Sequence, residues 1–193
     1  MARTASFDRR SVVSAAMDVF WAAGYEGAAI SDLERATGLR RSSIYNTFGS
    51  KRGLFDAAVE QYLECVIRPR LQPLRSASVG PEAIVAYLQG LRAVLADPAS
   101  LSARSGCLLI NTAGAPIGDD AAVAATVAAY RSELHDALAR GIAARLPHLE
   151  VDAADRVTAA CTGQVVAALA LARIDRQGSM AAIDTALALV EAA

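Results

Sequence analysis

The sequence predicts an all-α protein, and two observations carry this prediction. Of the 193 residues, 54% are hydrophobic but only 5% are aromatic, and alanine is very frequent. A core built from Ala, Leu and Val favours closely packed helices over sheets, which are enriched in aromatic and β-branched residues. The chain also shows no sustained alternation of apolar and polar residues, the pattern of a half-buried strand. Caps and breaks along the chain indicate about nine helices.

The N-terminal part of the chain is predicted to form three helices. The first begins at Asp8, which can cap it, and stops before Gly24, with apolar residues at steps of three and four between them. The second and third cover residues 29–37 and 41–48, with a turn at Gly38. Two short helices joined by such a turn form a helix-turn-helix, whose second helix lies in the major groove of DNA.

Longer helices are predicted in the remainder of the chain. Ser50 can cap a fourth helix that continues to about residue 67, and Pro69, Pro73 and the stretch 76–81 are expected to form a break after it. Further helices are expected over residues 82–96, 107–113, 120–146, 152–174 and 179–192.

Positive charge is concentrated at the helix-turn-helix. The stretch TGLRRSSIYNTFGSKRGLF, residues 37–55, carries four basic residues and no acid, although the net charge of the chain is −1. From Ala57 onward, 14 acidic residues outnumber 11 basic ones. A nucleic-acid role is therefore expected in the N-terminal third of the chain. Lys51 and Arg52, at the start of the fourth helix, are expected to add positive charge beside the DNA backbone.

The second helix of the motif carries the candidate DNA-binding side chains. Ile44 and Phe48 are four residues apart and are expected to face the bundle, so the polar residues between them face away. Arg41 and Asn46 are candidates for contacts with base edges, and Tyr45, Thr47 and Lys51 for contacts with phosphates. The complete candidate set is Arg40, Arg41, Ser42, Ser43, Tyr45, Asn46, Thr47 and Lys51.

Residues 12–55 resemble the N-terminal domain of the TetR family of bacterial repressors. The resemblance is carried by Phe20, Gly24, Tyr25, Leu33, Ala36, Gly38, Ile44, Tyr45, Phe48, Lys51 and Leu54. The chain departs from the family pattern where it has Ala28 and Ala29 instead of Thr or Ser, and Arg40 where Ser is common. The resemblance implies a homodimer that regulates transcription from a palindromic operator and is released by an inducer. It also implies a DNA-binding domain over residues 1–55 and a ligand-binding and dimerisation domain over 56–193.

The last two predicted helices are candidates for the dimer interface. The helix from residue 152 has no charge between Arg156 and Arg173, and a helix that is apolar on all sides is buried on all sides. A partner subunit could supply part of that burial. The predicted interface consists of Ala160, Cys161, Val165, Ala168 and Leu169 with Met180, Ile183, Leu187 and Val190.

The C-terminal domain is expected to bind a small apolar ligand. It offers isolated polar residues among Ala, Leu, Val and Ile, a lining that suits binding and not catalysis. The candidate pocket residues are Cys107, Ile110, Asn111, Tyr130 and Gln164.

Cys107 is also a candidate sensor of oxidants or electrophiles. It follows Gly106 at the start of a short helix, with Arg104 three residues away, and both features favour the thiolate. Its surroundings resemble a branch of the TetR family that responds to reactive electrophiles through a cysteine at this place. The alternative is a buried, inert thiol that packs as a small apolar residue. Cys65 and Cys161 lie inside long helices and are expected to be less reactive.

Other classes of function find little support in the sequence. His135 and His148 lack a second ligand at metal spacing, and no Ser, His and acid set suggests a hydrolase, so neither an enzyme nor a cofactor is expected. The uncharged run Val157–Ala172 is short for a membrane span. Three widely spaced cysteines and a charged N-terminus without a signal peptide favour a cytoplasmic protein. A small-molecule-binding protein without a DNA role, and a transcriptional activator, remain alternatives.

Overall fold

A computed structural model describes residues 8–192, and within this range the chain is all-α, with no strand. Residues 1–7 and 193, which belong to the two predicted domains, lie outside the described residues. The helices are α1 (Arg9–Gly27), α2 (Ile30–Thr37), α3 (Arg41–Phe48), α4 (Lys51–Tyr62), α5 (Arg68–Arg75), α6 (Ala83–Ala96), α7 (Leu101–Ser105), α8 (Leu108–Ala113), α9 (Ala121–Arg145), α10 (Val151–Leu171) and α11 (Arg176–Ala192). A π-helical turn, Leu63–Ile67, joins α4 to α5, and a 3₁₀ turn, Pro116–Asp119, precedes α9.

Helices α1 to α4 form a small bundle around an aromatic core. Phe20 of α1 and Phe55 of α4 are almost fully buried and meet edge to face, with ring centroids 5.2 Å apart. The side chain of Asp8 caps α1, as predicted, by accepting a hydrogen bond from the Arg10 backbone N–H. Gly24 has a φ of 73° and interrupts α1 at the predicted place, because few residues other than glycine adopt this conformation.

The predicted break is confirmed over residues 76–81 but is wrong at the two prolines. The chain stays helical from Lys51 through Pro69 and Pro73 to Arg75. In the π-helical turn, the Arg68 backbone N–H bonds to the Leu63 carbonyl, five residues back. This wider turn changes the hydrogen-bond register immediately before Pro69, which lies in the first turn of α5, where proline is tolerated. The chain leaves the helix only after Arg75.

Helices α6 and α9 to α11 form the larger part of the C-terminal domain. The burial of residues in α10 and α11 corrects the predicted dimer interface. Cys161, Val165, Ala168, Ile183 and Val190 have no exposed surface in a single subunit. They pack between α10 and α11 and against neighbouring helices, so they have no surface left to bury against a partner. Of the other predicted interface residues, Leu169 is also buried, Met180 and Leu187 are partly exposed, and Ala160 is exposed.

The uncharged character of α10 nevertheless leaves an unusual outer face. Opposite its buried face, α10 exposes small residues with no charge between Arg156 and Arg173; these include Ala159, Ala160, Gly163 and Ala170. In the part of the chain that the structure describes, no helix has the length and hydropathy needed to cross a bilayer.

Candidate nucleic-acid interface

Helix α3 is held in place by contacts that leave its polar face exposed. Gly38, with a φ of 70°, ends α2 in the left-handed conformation and turns the chain. Glu34 of α2 caps the start of α3, because its carboxylate accepts the Arg41 backbone N–H at 2.6 Å. Ile44 is fully buried and anchors the helix to the bundle, and Phe48 is half-buried. Sequence analysis missed the Glu34 cap, since it joins residues seven positions apart across a turn.

The predicted DNA-binding residues share one accessible surface. Arg40, Arg41, Ser42, Asn46 and Thr47 are exposed, and Ser43, Tyr45 and Lys51 are half-buried at its margin. The Arg41 guanidinium lies 5.3 Å from the centre of the Tyr45 ring. The contacts with nucleic acid predicted for these residues remain predictions.

The start of α4 completes this surface. Lys51 lies over the Tyr25 ring, with its Nζ atom 4.6 Å from the ring centre, and the Ser50 hydroxyl caps α4 by accepting the Gly53 backbone N–H at 3.0 Å. A Cβ atom on Gly53 would overlap the backbone carbonyl oxygen of Phe48. The close passage of α4 across the end of α3 therefore requires glycine at position 53.

Arg52 does not supply free positive charge to this surface, which corrects the sequence-based expectation. Its guanidinium bonds to Asp56 at 2.7 Å and to Asp120 at 3.0 Å. The hydrogen bonds to Asp120 and Asp56 raise the pKa of Arg52, and the bond from Arg52 lowers the pKa of Asp120 to about 2. Asp120 also caps α9, accepting the backbone N–H groups of Ala122 and Val123. Arg52 thus ties the N-terminal bundle to the start of α9.

Two further hydrogen bonds join the N-terminal bundle to the same segment of the C-terminal domain. The indole N–H of Trp21 donates to the Gly106 carbonyl oxygen at 3.0 Å, a buried bond between residues 85 positions apart. The Ile117 backbone N–H donates to the Glu26 carboxylate at 2.8 Å. Together with Arg52–Asp120, these bonds attach the bundle to residues 106–120. Residues 106–120 therefore contact both α1 and the start of α4 directly.

The predicted pocket residues fall into two groups. Cys107 and Tyr130 are buried together, with the thiol 3.8 Å from the Tyr130 hydroxyl oxygen. Burial raises the pKa values of Tyr62 and Tyr130, and the neighbouring Cys107 is the second-largest cause of this increase. The other group, Ile110, Asn111 and Gln164, is half-buried. The pocket assignment remains a prediction.

Two cavities of ligand size lie elsewhere. One, of about 280 Å³, lies between α4, α8 and α9 and includes Phe55, Val59, Leu109 and Val123 in its lining. The other, of about 300 Å³, lies between α5 and α6. Sequence analysis missed both, because the spacing of apolar residues does not reveal where packing is incomplete.

The three cysteines differ in exposure, and Cys107 has the burial expected of a packing thiol and not of an accessible one. Cys107 and Cys161 are fully buried, and burial raises the pKa of Cys161 to about 11. Cys65, expected to be less reactive, is exposed, and a guanidinium nitrogen of Arg10 lies 3.8 Å from its sulfur. Within residues 8–192, no three His, Cys, Asp or Glu side chains are grouped closely enough to hold a metal ion.

Comparison with known proteins gives this helical arrangement a family. Residues 12–58 match the family model described as bacterial regulatory proteins, tetR family. An uncharacterized HTH-type transcriptional regulator, YezE of Bacillus subtilis (strain 168), is 34% identical over 142 residues, which cover 74% of this chain and 72% of YezE.

Solved structures agree with the sequence comparison over almost the whole chain. A cysteine mutant of the TetR-family transcriptional regulator CifR, complexed with a 26-base-pair operator DNA, has a TM-score of 0.78 and 29% identity, covering 96% of this chain and 98% of CifR. A TetR transcriptional regulator from Chloroflexus aurantiacus J-10-FL has a TM-score of 0.72 and 30% identity, covering 93% and 90%. YezE matches the chain over more than two thirds of both sequences, and the TetR-family structures share the arrangement of its helix-turn-helix and C-terminal helices. The chain therefore belongs to the TetR family of transcriptional regulators.

Proposed function

We propose that the protein is a ligand-responsive repressor that binds a palindromic DNA operator as a homodimer and is released by a small-molecule inducer. The observation that carries the DNA-binding part is the exposed polar face of α3. Arg40, Arg41 and Lys51 lie on or beside this face, and none of them forms an ion pair with a carboxylate in residues 8–192. Their charge is therefore available to DNA.

On this proposal, the residues around α3 have separate roles. Arg41 and Asn46 contact base edges, where bidentate hydrogen bonds distinguish base pairs, and Ser42 and Ser43 support them from the first turn of the helix. Arg40, Tyr45, Thr47 and Lys51 contact phosphates and set the register on the duplex. The operator complex of CifR, which is 29% identical, supports a DNA partner of this kind.

The proposed dimer uses the outer faces of α10 and α11 and not the side chains predicted from the sequence. Small residues such as Ala160 and Gly163 allow two helix backbones to approach closely. The two recognition helices would then lie about 34–36 Å apart, one turn of DNA, to contact a two-fold operator. Residues 1–55 and 56–193 act as the two functional units, although α4 runs without a break across this boundary.

A gel shift with genomic fragments, with and without competitor DNA, tests operator binding. Lys51→Ala should weaken binding to all sequences and reduce the slope of log K against log salt by about one. Arg41→Ala should cost roughly 1–3 kcal/mol and relax the preference at one base pair per half-site. Arg35→Ala is the control, because Arg35 is already paired with Asp32. An unchanged affinity and salt slope in Lys51→Ala would contradict the proposed docking.

Sedimentation tests the dimer separately. A Cβ atom added to Gly163 would meet no other atom within 4 Å, so Gly163→Arg should fold. The variant would place an unpaired charge in the proposed interface. We expect this variant to be monomeric, whereas Ala143→Arg, on the exposed side of α9, should remain a dimer. A Gly163→Arg dimer as tight as the parent would exclude this face.

A second mechanism, release by modification of Cys107, is favoured by one observation. Cys107 directly follows Gly106, whose carbonyl oxygen accepts the hydrogen bond from Trp21 in the DNA-binding bundle. Alkylation of a thiol packed against Tyr130 would displace this segment, so a local change would reach α1. A DNA-release titration with a thiol reagent, followed by peptide mapping, tests the idea. Release that persists in Cys107→Ser would exclude Cys107 as the sensor.

A further inference from the structure

Arg70 of α5 is a cation without an anionic partner. It is half-buried, and no carboxylate in residues 8–192 forms an ion pair with it. Its guanidinium reaches the Ser102 hydroxyl at 3.4 and 3.5 Å, at the long end of hydrogen-bonding distances. The other arginines of α5, Arg68 and Arg75, both pair with Glu133. A partly desolvated guanidinium of this kind is able to bind an anionic ligand by donating hydrogen bonds to it.

Arg70 lines the cavity of about 300 Å³ between α5 and α6. It is the one charged residue of this lining, and Tyr87 is the one other residue in it that carries a polar group. The rest of the wall is apolar and includes Pro73, Ala86 and Val94. The volume lies at the lower end of the range for small-molecule sites, roughly 300–1,000 Å³. The lining is therefore complementary to a small apolar molecule with a single negative group.

We propose that this cavity binds a small amphipathic carboxylate. The carboxylate pairs with the Arg70 guanidinium, whose planar fork matches its two oxygens, and the apolar chain lies against α6. The inference rests on the proposed ligand response and deepens it, since it gives the effector a place and a chemical class. This place differs from the pocket predicted around Cys107.

The position of Arg70 connects this cavity to the DNA-binding bundle. Arg70, Tyr87 and Leu91 also line a small inner space of about 20 Å³, enough for one water molecule, next to Tyr62 and Tyr130. Ser102, which Arg70 contacts, precedes Gly106 by four residues, and the Gly106 carbonyl oxygen accepts the Trp21 indole N–H. A carboxylate that draws Arg70 away from Ser102 changes the support of α7 and thereby the contact to α1.

Isothermal titration calorimetry with octanoate as the probe tests the site. Octanoate should bind to the full-length protein about 10–100-fold more tightly than 1-octanol, the difference expected for a hydrogen bond to a charged group. Octylamine should bind no better than 1-octanol. Octanoate should also change the emission of Trp21, which is the single tryptophan of the chain.

Two variants and one control locate the binding. Arg70→Gln should lose the preference for octanoate over 1-octanol, whereas Arg68→Gln, on the same helix, should keep it. Gly90→Leu should block both probes, because Gly90 lines the cavity and a side chain there meets no other atom within 4 Å of its Cβ. Circular dichroism checks that each variant is folded, and leucine favours a helix more than glycine does.

The outcomes separate the site from the ligand response. Equal binding of octanoate and 1-octanol, undiminished octanoate affinity in folded Arg70→Gln or Gly90→Leu, or no saturable octanoate binding at millimolar concentrations would overturn the carboxylate site. Binding that depends on Arg70 supports it. If such binding leaves the affinity for operator fragments unchanged, the site stands and the response through Arg70 is overturned. Failure to bind any DNA fragment, without octanoate, contradicts the proposed function alone.

Discussion

The N-terminal bundle and the C-terminal domain are stabilised by different kinds of side chain. The small bundle packs aromatic rings against each other: Phe55 meets both Phe20 and Tyr25, with centroids 5.2 and 5.1 Å away. The C-terminal core consists mainly of Leu, Ala, Val and Ile, and its buried tyrosines gather near Arg70 and Cys107. A few large rings can hold a recognition helix rigidly in a short sequence. Aliphatic helices pack over a larger area but leave a cavity between α5 and α6, where a ligand could act.

The largest expected effect comes from removing one ring of the N-terminal core. Phe20→Ala should destabilise the N-terminal bundle by about 3–5 kcal/mol, since it deletes a fully buried ring and leaves a cavity. The N-terminal bundle has its own aromatic core and is joined to residues 106–120 by three hydrogen bonds. We therefore expect DNA binding to be lost while the C-terminal helices remain folded. Chemical unfolding followed by far-UV circular dichroism should show two transitions.

Leu138→Ala in the C-terminal core is the matched comparison, because Leu138 is also fully buried. This variant should shift the unfolding of the C-terminal domain. If Phe20→Ala and Leu138→Ala lower one common transition equally, the two regions form a single cooperative unit and the contrast between them is wrong.

A smaller effect is expected at the junction of α3 and α4. Gly53→Ala places a Cβ atom on the Phe48 carbonyl oxygen and should cost about 1–3 kcal/mol in unfolding free energy, with a loss of DNA affinity. Gly90→Ala, on α6, meets no neighbouring atom and should instead stabilise by about 0.5–1 kcal/mol. Thermal melts of both variants measure the difference. Equal melting temperatures would show that α4 can move away from α3 without cost.

The ion pair between the two regions predicts a pH dependence. The Arg52 guanidinium lowers the pKa of Asp120 to about 2, below its usual value near 4. A carboxylate with a lowered pKa contributes stability that is complete above its unfolded pKa and is lost as the pH falls toward its folded pKa. The contribution of Asp120 should therefore be full above about pH 4 and vanish near pH 2.

Asp120→Asn removes the charge while asparagine can still cap α9. The stability difference between this variant and the parent should be constant from pH 7 to about pH 4 and disappear between pH 4 and pH 2. Asp184→Asn, which removes the pair with Arg92 inside the C-terminal domain, is the control for a pair that does not join the two regions. A stability difference for Asp120→Asn that does not depend on pH would assign its effect to the helix cap.

The smallest effect on stability is expected from modification of a thiol. Cys65 is exposed, so alkylation in the native state should reach it first and leave the melting temperature nearly unchanged. Cys107 and Cys161 are fully buried and should react only at the rate of local opening. Timed alkylation with peptide mapping gives the order. Early labelling of Cys107 would show that its segment opens readily and would strengthen the sensor mechanism.

Local features of the fold were predictable from the sequence because they depend on neighbouring residues. The left-handed turn at Gly38, the bounds of α3 and the caps at Asp8 and Ser50 each involve residues within a few positions of one another. The exposed polar face of α3 followed from the same periodicity. The sequence alone therefore determined the all-α class, the helix-turn-helix and the candidate DNA-binding surface.

Tertiary structure alone decided which side chains are free and which are paired or buried. Arg52 resembles Lys51 in sequence, yet it bonds to Asp120, 68 positions away, and Cys65 is exposed while Cys107 is buried. The uncharged character of α10 was recognised from the sequence, but α11 and not a partner subunit covers Val165 and Ala168 on its buried face. The periodicity of one helix shows that a face is buried without showing what covers it. Long-range pairing and incomplete packing depend on how the helices meet, and residue spacing within each helix does not specify this.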